Sequence, residues 1–197
     1  MARDMVPVLK RCRTLGIEPA FLGIDKKSNR NPRAGRKQSE YGLQLKEKQK
    51  AKFIYGILEK PFRNNFARAQ KLKYGTTGEN LMILLELRLD NVMFRMGYGR
   101  TRKESRQIVS HKHVLVNGKC VNIPSYEVKP GDKIEIKEKH KGAQRYKDIL
   151  EVTEGRMVPD WLEADHETLS GTVKEIPTRE QIDVPVNEVL IVELYSK

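Results

Sequence analysis

The side chains with the most to offer chemically gather between residues 100 and 119. Arg100, Arg102 and Arg106 bring three guanidiniums. Arg102 and Arg106 stand four apart, so on a helix they share one face. Thr101 and Glu104 have the spacing of a capping box, which starts a helix there. A helix start presents unpaired N–H groups and the positive end of the dipole, both suited to phosphate. Guanidiniums add bidentate contacts to the same group. Ser110, His111, Lys112 and His113 then supply polar donors as the helix ends. Asn117 and Lys119 return toward them through the Asn117-Gly118 turn. A convex surface this rich in donors suits recognition of folded RNA by shape and backbone.

Other chemistries find less support. His111 and His113 would point the same way on a strand, but no Cys, Asp or Glu nearby completes a metal set. No paired carboxylate or nucleophile motif accompanies the 4 histidines. Gly97-Tyr98-Gly99 is too little for a glycine-rich phosphate loop. The 2 cysteines, Cys12 and Cys120, can build neither a disulfide framework nor a four-cysteine zinc site. No catalytic residue, metal or cofactor is expected. The start at Met1 lacks a signal-peptide stretch, and the longest apolar run, Leu81 to Leu85, is too short for a membrane. The expectation is a soluble intracellular chain with no membrane partner.

Charge supports a polyanionic partner. The 197 residues hold 38 Lys+Arg against 26 Asp+Glu, a net of +12. Residues 1–150 carry 34 basic and 15 acidic side chains, net +19; residues 151–197 carry 4 and 11, net −7. A basic body with an acidic end reads as a binder that turns one side away from its polyanion.

The elements around the donors follow from periodicity. Residues 1–42 read as a basic arm, and Lys26 to Lys37 has no hydrophobic period. A helix is predicted over 43–59 from Leu45, Phe53, Ile54, Ile57 and Leu58. On it the i,i+4 pairs Lys46/Lys50 and Lys48/Lys52 form two basic ridges, whose mutual repulsion asks for an anion. Pro61 opens a second helix with Phe62, Phe66, Ala69 and Leu72 inward, Arg63, Arg68, Lys71 and Lys73 outward, and Gly75 as its stop. Thr76 and Glu79 box the next, with Leu81, Leu84, Leu85 and Leu89 on its face. Helical pattern continues from Asp90 to Gly97 and from Thr101 to about His111. A strand enters the Asn117-Gly118 turn, Lys129-Pro130-Gly131-Asp132 fits a type II turn, and Ile134-Glu135-Ile136 alternates as a strand. Trp161-Leu162 and Gly171 to Lys174 read as short strands or loops, and Val189 to Tyr195 as a strand or buried segment.

Arg88-Leu89-Asp90-Asn91-Val92, Thr101-Arg102, Arg106 to His113, Val116-Asn117-Gly118 and Ile123-Pro124-Ser125-Tyr126 resemble the small RNA-binding module named after ribosomal protein S4. Ser39 to Lys50, Tyr55 to Glu59, Thr77 to Leu81 and the ending Leu190 to Lys197 extend the resemblance, over essentially the full length, to the bacterial small-subunit ribosomal protein S4 family. The resemblance implies an α+β fold: a basic N-terminal arm (1–42), a helical domain (43–87, completed by about 166–197), an inserted α+β RNA-binding module (88–150) of two helices and a β-hairpin-rich sheet, and an acidic segment (151–197) that packs back on the helical domain. It implies a non-enzymatic, structural rRNA binder in the cytoplasmic small subunit. Such a protein meets a helix junction of the five-prime domain early in assembly of the body, contacts ribosomal protein S5 at an interface linked to decoding accuracy, and in some members represses its own operon. The residues implied to face rRNA are Tyr41, Gln44, Lys46, Lys48, Gln49, Lys52, Arg63, Lys71, Lys73, Arg88, Arg100, Thr101, Arg102, Arg106, Gln107, Ser110, His111, Lys112, His113, Asn117 and Lys119. Arg33, Arg36 and Lys37 are implied to lie toward the mRNA path. Many relatives carry an N-terminal cysteine cluster for zinc; Cys12 alone stands in that region, so no zinc is expected. An RNA-modifying enzyme with the same module would need a catalytic domain, and the residues after 150 carry no catalytic motif.

Overall fold

A computed structural model describes residues 6–26, 30 and 39–196. Arg33, Arg36 and Lys37 lie outside the described residues. The chain divides into two compact units, one of residues up to Met82 together with Asp183 onward, the other of Ile83–Ile182.

The first unit is helical. Helix α1 (Val8–Leu15) and a 3-10 turn (Pro19–Leu22) bury Cys12, Leu15, Ile17 and Leu22. Within the predicted basic arm the stretch 6–26 is therefore a folded, packed segment, while Lys26 to Lys37, the part without a hydrophobic period, lies mostly outside the described residues. The few apolar residues of 6–26 are spread among charges but fall on one side of the helix and turn. The Arg11 guanidinium donates to Gln49 Oε1 at 3.1 Å.

Helix α2 (Glu40–Ile54) begins at Ser39, whose hydroxyl accepts from the Gly42 N–H at 3.2 Å. It ends before the predicted Glu59. Gly56 takes a φ of +63°, and the Ile57 N–H bonds back to the Lys52 carbonyl at 2.9 Å. Helix α3 (Glu59–Ala69) has Pro61 in its first turn and buries Phe62, Phe66 and Ala69. It stops short of Leu72, which is exposed. Helix α4 (Thr77–Glu86) carries the full capping box: the Glu79 N–H donates to Thr76 Oγ1 at 3.2 Å, and the Thr76 N–H to Glu79 Oε2 at 2.8 Å.

The apolar ending is a helix, not a strand. Here we number it α9 (Glu188–Tyr195), the last of the chain. Asn187 caps it, accepting from the Val189 N–H at 3.1 Å. A short apolar run is ambiguous by period alone; docking against α2 resolves it. Tyr195 stacks on Phe66 with ring centroids 4.5 Å apart and donates to Glu59 Oε1 at 3.1 Å.

Glu59 is the electrostatic hub of this unit. Lys48 and Lys52 reach its two oxygens at 2.8 and 2.7 Å. Partial burial pushes its carboxyl up, but these two ammoniums outweigh that and bring it down to about 2. A depressed carboxylate stabilises the fold above its unfolded value, and that contribution fades as pH falls toward 2. Far-UV CD melts should therefore show wild type losing stability between about pH 4.5 and 2, and Glu59→Gln losing less across that window.

The second unit is an α+β module with a five-stranded antiparallel sheet ordered β2-β1-β3-β5-β4. Helices α5 (Leu89–Arg95) and α6 (Arg102–Ser110) precede strands β1 (Val114–Val116), β2 (Lys119–Cys120) and β3 (Lys133–Ile136). Short helix α7 (Glu138–Lys141) and helix α8 (Gln144–Thr153) follow, then β4 (Leu162–Asp165) and β5 (Ser170–Val173). Val114 and Val116 are buried with Leu115 between them half-buried, and Ile134 and Ile136 are buried with Glu135 half-buried, the alternation of strands covered on one face. The positive φ of Asn117 (49°) and Gly118 (75°) makes the β1–β2 turn, and Gly131 (87°) makes the type II turn.

This sheet corrects the expected boundaries. The segment 151–182 belongs to the module's compact unit and does not leave it at residue 150. β5 pairs with β3, with Ile134 opposite Gly171, so the 158–174 hairpin completes the sheet. Only from Asp183 does the chain lie in the first unit. Gly171 marks how tightly the hairpin fits: a Cβ there would run into the Glu163 carbonyl oxygen. Trp161, Tyr98 and Tyr146 are fully buried in one core with Met93, Met96, Ile108 and Ile134.

Candidate nucleic-acid interface

The start of α6 is held by its own unit. Thr101 Oγ1 accepts from the Glu104 N–H at 3.2 Å. The Glu104 carboxylate does not return to Thr101 but takes the Arg100 backbone N–H at 3.0 Å and the Arg100 guanidinium at 3.0 and 3.1 Å. Arg145 adds a contact to Glu104 at 3.3 Å. Arg156 fixes the loop before the helix, donating at 2.9 Å to the carbonyls of Phe94, Gly99 and Arg100. Arg156 is thus a positioning residue that pattern reading overlooks, because it acts from 56 residues away. Gly99 serves the same approach: a Cβ would collide with Ser105.

Arg102, Arg106 and Arg88 differ in role. Arg102 is buried, lies 4.2 Å over the Phe94 ring and donates to Asn91 Oδ1 at 2.8 Å. It does not share an open face with Arg106. Arg106 is half-buried, with its guanidinium 3.5 Å from Asp90. Arg88 is buried and grips Asp90 through two donors at 3.1 and 2.8 Å. Helix geometry sets which side chain faces out, and the core claims Arg102 for the cation–π stack.

The exit of α6 is more open. Lys112 takes a φ of +63°, which reverses the chain into β1. Gln107, His111, Lys112 and Lys119 are exposed, and His113 and Ser110 half-buried. The Ser110 hydroxyl donates to the Arg106 carbonyl at 2.8 Å. Asn117 is exposed yet locked in a turn-to-turn bridge: its amide donates to Asp132 at 2.8 Å and its oxygen accepts from the Lys133 N–H at 2.9 Å. No described carboxylate pairs with Lys112 or Lys119.

In the first unit, Tyr41, Arg63, Lys71 and Lys73 are exposed, and Lys46, Lys48, Gln49 and Lys52 half-buried. Gln44 is fully buried and donates to Glu40 at 3.2 Å and Glu193 at 3.0 Å. The anion that the basic ridges of α2 ask for is partly internal: Glu59 answers Lys48 and Lys52, and Glu47 answers Lys50 at 2.6 Å. The sequence could not place Glu59 beside that ridge, since its approach depends on how α3 folds back.

Charge sorts by unit. The module carries 18 basic and 16 acidic side chains, net +2, and the other unit 20 and 10, net +10. Among the described residues no group of His, Cys, Asp or Glu could hold a metal ion, and no helix is long and apolar enough to cross a membrane.

An α+β module with a capped helix start and a basic helix exit is the arrangement of an RNA-binding protein. The family described as S4 domain matches residues 87–134, and the Ribosomal protein S4/S9 N-terminal domain matches residues 5–86. The chain is similar over its whole length, and theirs, to proteins named small ribosomal subunit protein uS4. It is 85% identical to that of Lachnoclostridium phytofermentans, 72% to that of Lachnospira eligens and 50% to that of Natranaerobius thermophilus. The chain belongs to the uS4 family of ribosomal proteins, a structural and non-enzymatic family.

Proposed function

We infer that the chain works as a structural constituent of the cytoplasmic small ribosomal subunit and binds its rRNA directly. The single observation that carries this is the α6–β1 surface, where Gln107, His111, Lys112 and Lys119 stand exposed beside Arg106 and Ser110. Phosphate contacts of this kind position a protein on folded RNA, and exposed donors at a bend read its shape. The finer reading is a primary binder that meets a helix junction of the five-prime domain and nucleates assembly of the body. In that reading Tyr41, Arg63, Lys71 and Lys73 supply further contacts from the helical unit, and Arg33, Arg36 and Lys37 reach toward mRNA. Ribosomal protein S5 is the protein neighbour, at an interface that bears on decoding accuracy. A donor surface of this kind also supports repression of the chain's own operon through a structured messenger.

The test is binding of the full chain to a five-prime-domain fragment of small-subunit rRNA across a salt series. With about 6–10 phosphate contacts, affinity should fall by roughly 10³–10⁵ between about 50 and 200 mM salt. Lys112→Gln and Lys119→Gln should each lower the slope by about 1. Equal affinity for an unrelated RNA duplex, or slopes that both variants leave unchanged, would overturn the reading.

A further inference from the structure

The α6 exit does not stand alone: the fold brings α7 against it. His113 lies 6.4 Å from His111 and is stacked on His140, with ring centroids 3.9 Å apart and planes 10° from parallel. The Lys137 N–H donates to the His113 carbonyl at 2.8 Å, and the His140 N–H to the Lys137 carbonyl at 2.8 Å. Two backbone bonds therefore pin α7 where its imidazole covers that of His113. Behind the stack, the Tyr146 hydroxyl is 2.9 Å from His113 Nδ1.

The groups facing these rings are basic on every side. The link from α6 to β1 contributes His111, the link from β3 to α7 contributes Lys137, α7 itself contributes Lys139, and α8 contributes Arg145 and the neutral Tyr146. Glu138 of α7 pairs with Lys141 at 2.8 Å, and Glu104 with Arg100 and Arg145. None of the described carboxylates pairs with the three imidazoles. Burial, then His140, Arg145, His111 and Lys137, hold His113 below the ordinary imidazole range; desolvation, then Lys139 and Lys137, do the same to His140. Two imidazoliums stacked this closely repel, so the free protein keeps the pair largely neutral amid cations.

We propose that His113 and His140, with Lys137 and Lys139, extend the α6–β1 surface that holds His111 into a further phosphate-binding patch for the RNA backbone, and that RNA binding there takes up protons. This rests on the reading of the module as an RNA binder. A phosphodiester supplies the anion the cluster lacks. It relieves the repulsion between the rings and raises their affinity for protons. The sign follows. The bound-state pKa exceeds the free-state pKa, so the extra affinity is fully present below the free value and is lost as pH rises through the bound value. A bound-state rise of one unit is tenfold in affinity for one proton taken up.

The experiment measures the affinity of the full chain for a five-prime-domain rRNA fragment at fixed salt from about pH 5.5 to 8.5. Wild type should weaken roughly tenfold across that range. His140→Gln, an exposed-face change that removes one ring of the stack, should flatten most of that dependence. Lys139→Gln should weaken binding at every pH, and because a depressing cation is gone it should also move the midpoint of the pH dependence upward. Near-UV CD confirms that the variants stay folded. Identical pH slopes in wild type and His140→Gln would overturn the proposal while leaving RNA binding standing. Tight binding with no pH dependence in wild type would overturn it equally. No binding at any pH would overturn the RNA-binding reading itself, and the proposal with it.

Discussion

Glu86→Ala is expected to cost the RNA-binding module about 3–5 kcal/mol of stability, the range for breaking one side of a buried charge pair. Glu86 is fully buried at the end of α4. Its Oε2 accepts from Asn91 Nδ2 at 2.7 Å and Arg95 Nε at 3.1 Å, and its Oε1 from Arg95 Nη2 at 2.9 Å. Asn91 in turn holds the Arg102 guanidinium at 2.8 Å. Removing the carboxylate leaves a guanidinium buried without its counter-charge and loosens the amide that orients Arg102 at the start of α6. Rotation of Asn91 then carries the damage toward α6. Glu86→Gln, which keeps an acceptor but not the charge, should lie between the variant and wild type. Urea unfolding of both variants measures the loss. A change under about 1 kcal/mol for Glu86→Ala would mean that water or another acceptor satisfies Arg95, and would remove this network from the account of the module.

Trp161→Ala should cost a similar amount, about 3–5 kcal/mol, as expected for truncating a large buried aromatic. The indole is 1% exposed in the module core, and the backbone at Trp161 also accepts from the Lys174 N–H at 2.9 Å. The experiment asks where the module ends. If the sheet is complete without 158–182, the cost should be small and local. If β4 and β5 are integral, the whole module should lose stability together and RNA affinity should fall with it. The pairing of Gly171 with Ile134 argues for the second outcome, since β3 would otherwise expose an unpaired edge. Denaturation followed by tryptophan fluorescence in wild type and by CD in both proteins, set beside RNA binding at a temperature below the variant's midpoint, separates the two.

Local signals in the chain were legible where physics acts within a few residues. The capping residues Thr76 and Thr101 start helices because a hydroxyl needs only reach two or three residues ahead. Asn117-Gly118 turns because both residues tolerate positive φ, and Pro130-Gly131 because the proline ring fixes the negative φ of the first turn position and glycine takes the positive φ of the second. His111, Lys112 and Lys119 belong to this group, and their exposure follows from the helix end that precedes them, whereas His113 is half-buried under His140. Misreadings arose where a residue's surroundings come from elsewhere. Arg102 matches the spacing of a surface arginine, yet Phe94 and Asn91 claim it for the interior. Gln44 sits among surface lysines in sequence, yet α9 covers it. Cys12, Leu15, Ile17 and Leu22 are too sparse to announce a packed segment, and Val189 to Tyr195 too short to declare helix over strand.

Composition alone determined that this chain seeks a polyanion: +12 over 197 residues, with few aromatics and too few cysteines for a disulfide framework. Motif spacing alone determined the helix starts, the turns and the family, because these depend on neighbours along the chain. Only the tertiary structure decided which charges remain available. It spends Glu59 on Lys48 and Lys52 and brings Arg145 to Glu104 from 41 residues away, beside the local pairs Arg88–Asp90 and Arg100–Glu104. It also stacks His140 on His113 across 26 residues of intervening chain and leaves Lys137 and Lys139 beside them. Coulomb interactions fall off with distance in space and take no account of separation in sequence, so the net charge could be read from the chain, while the face that carries it required the fold.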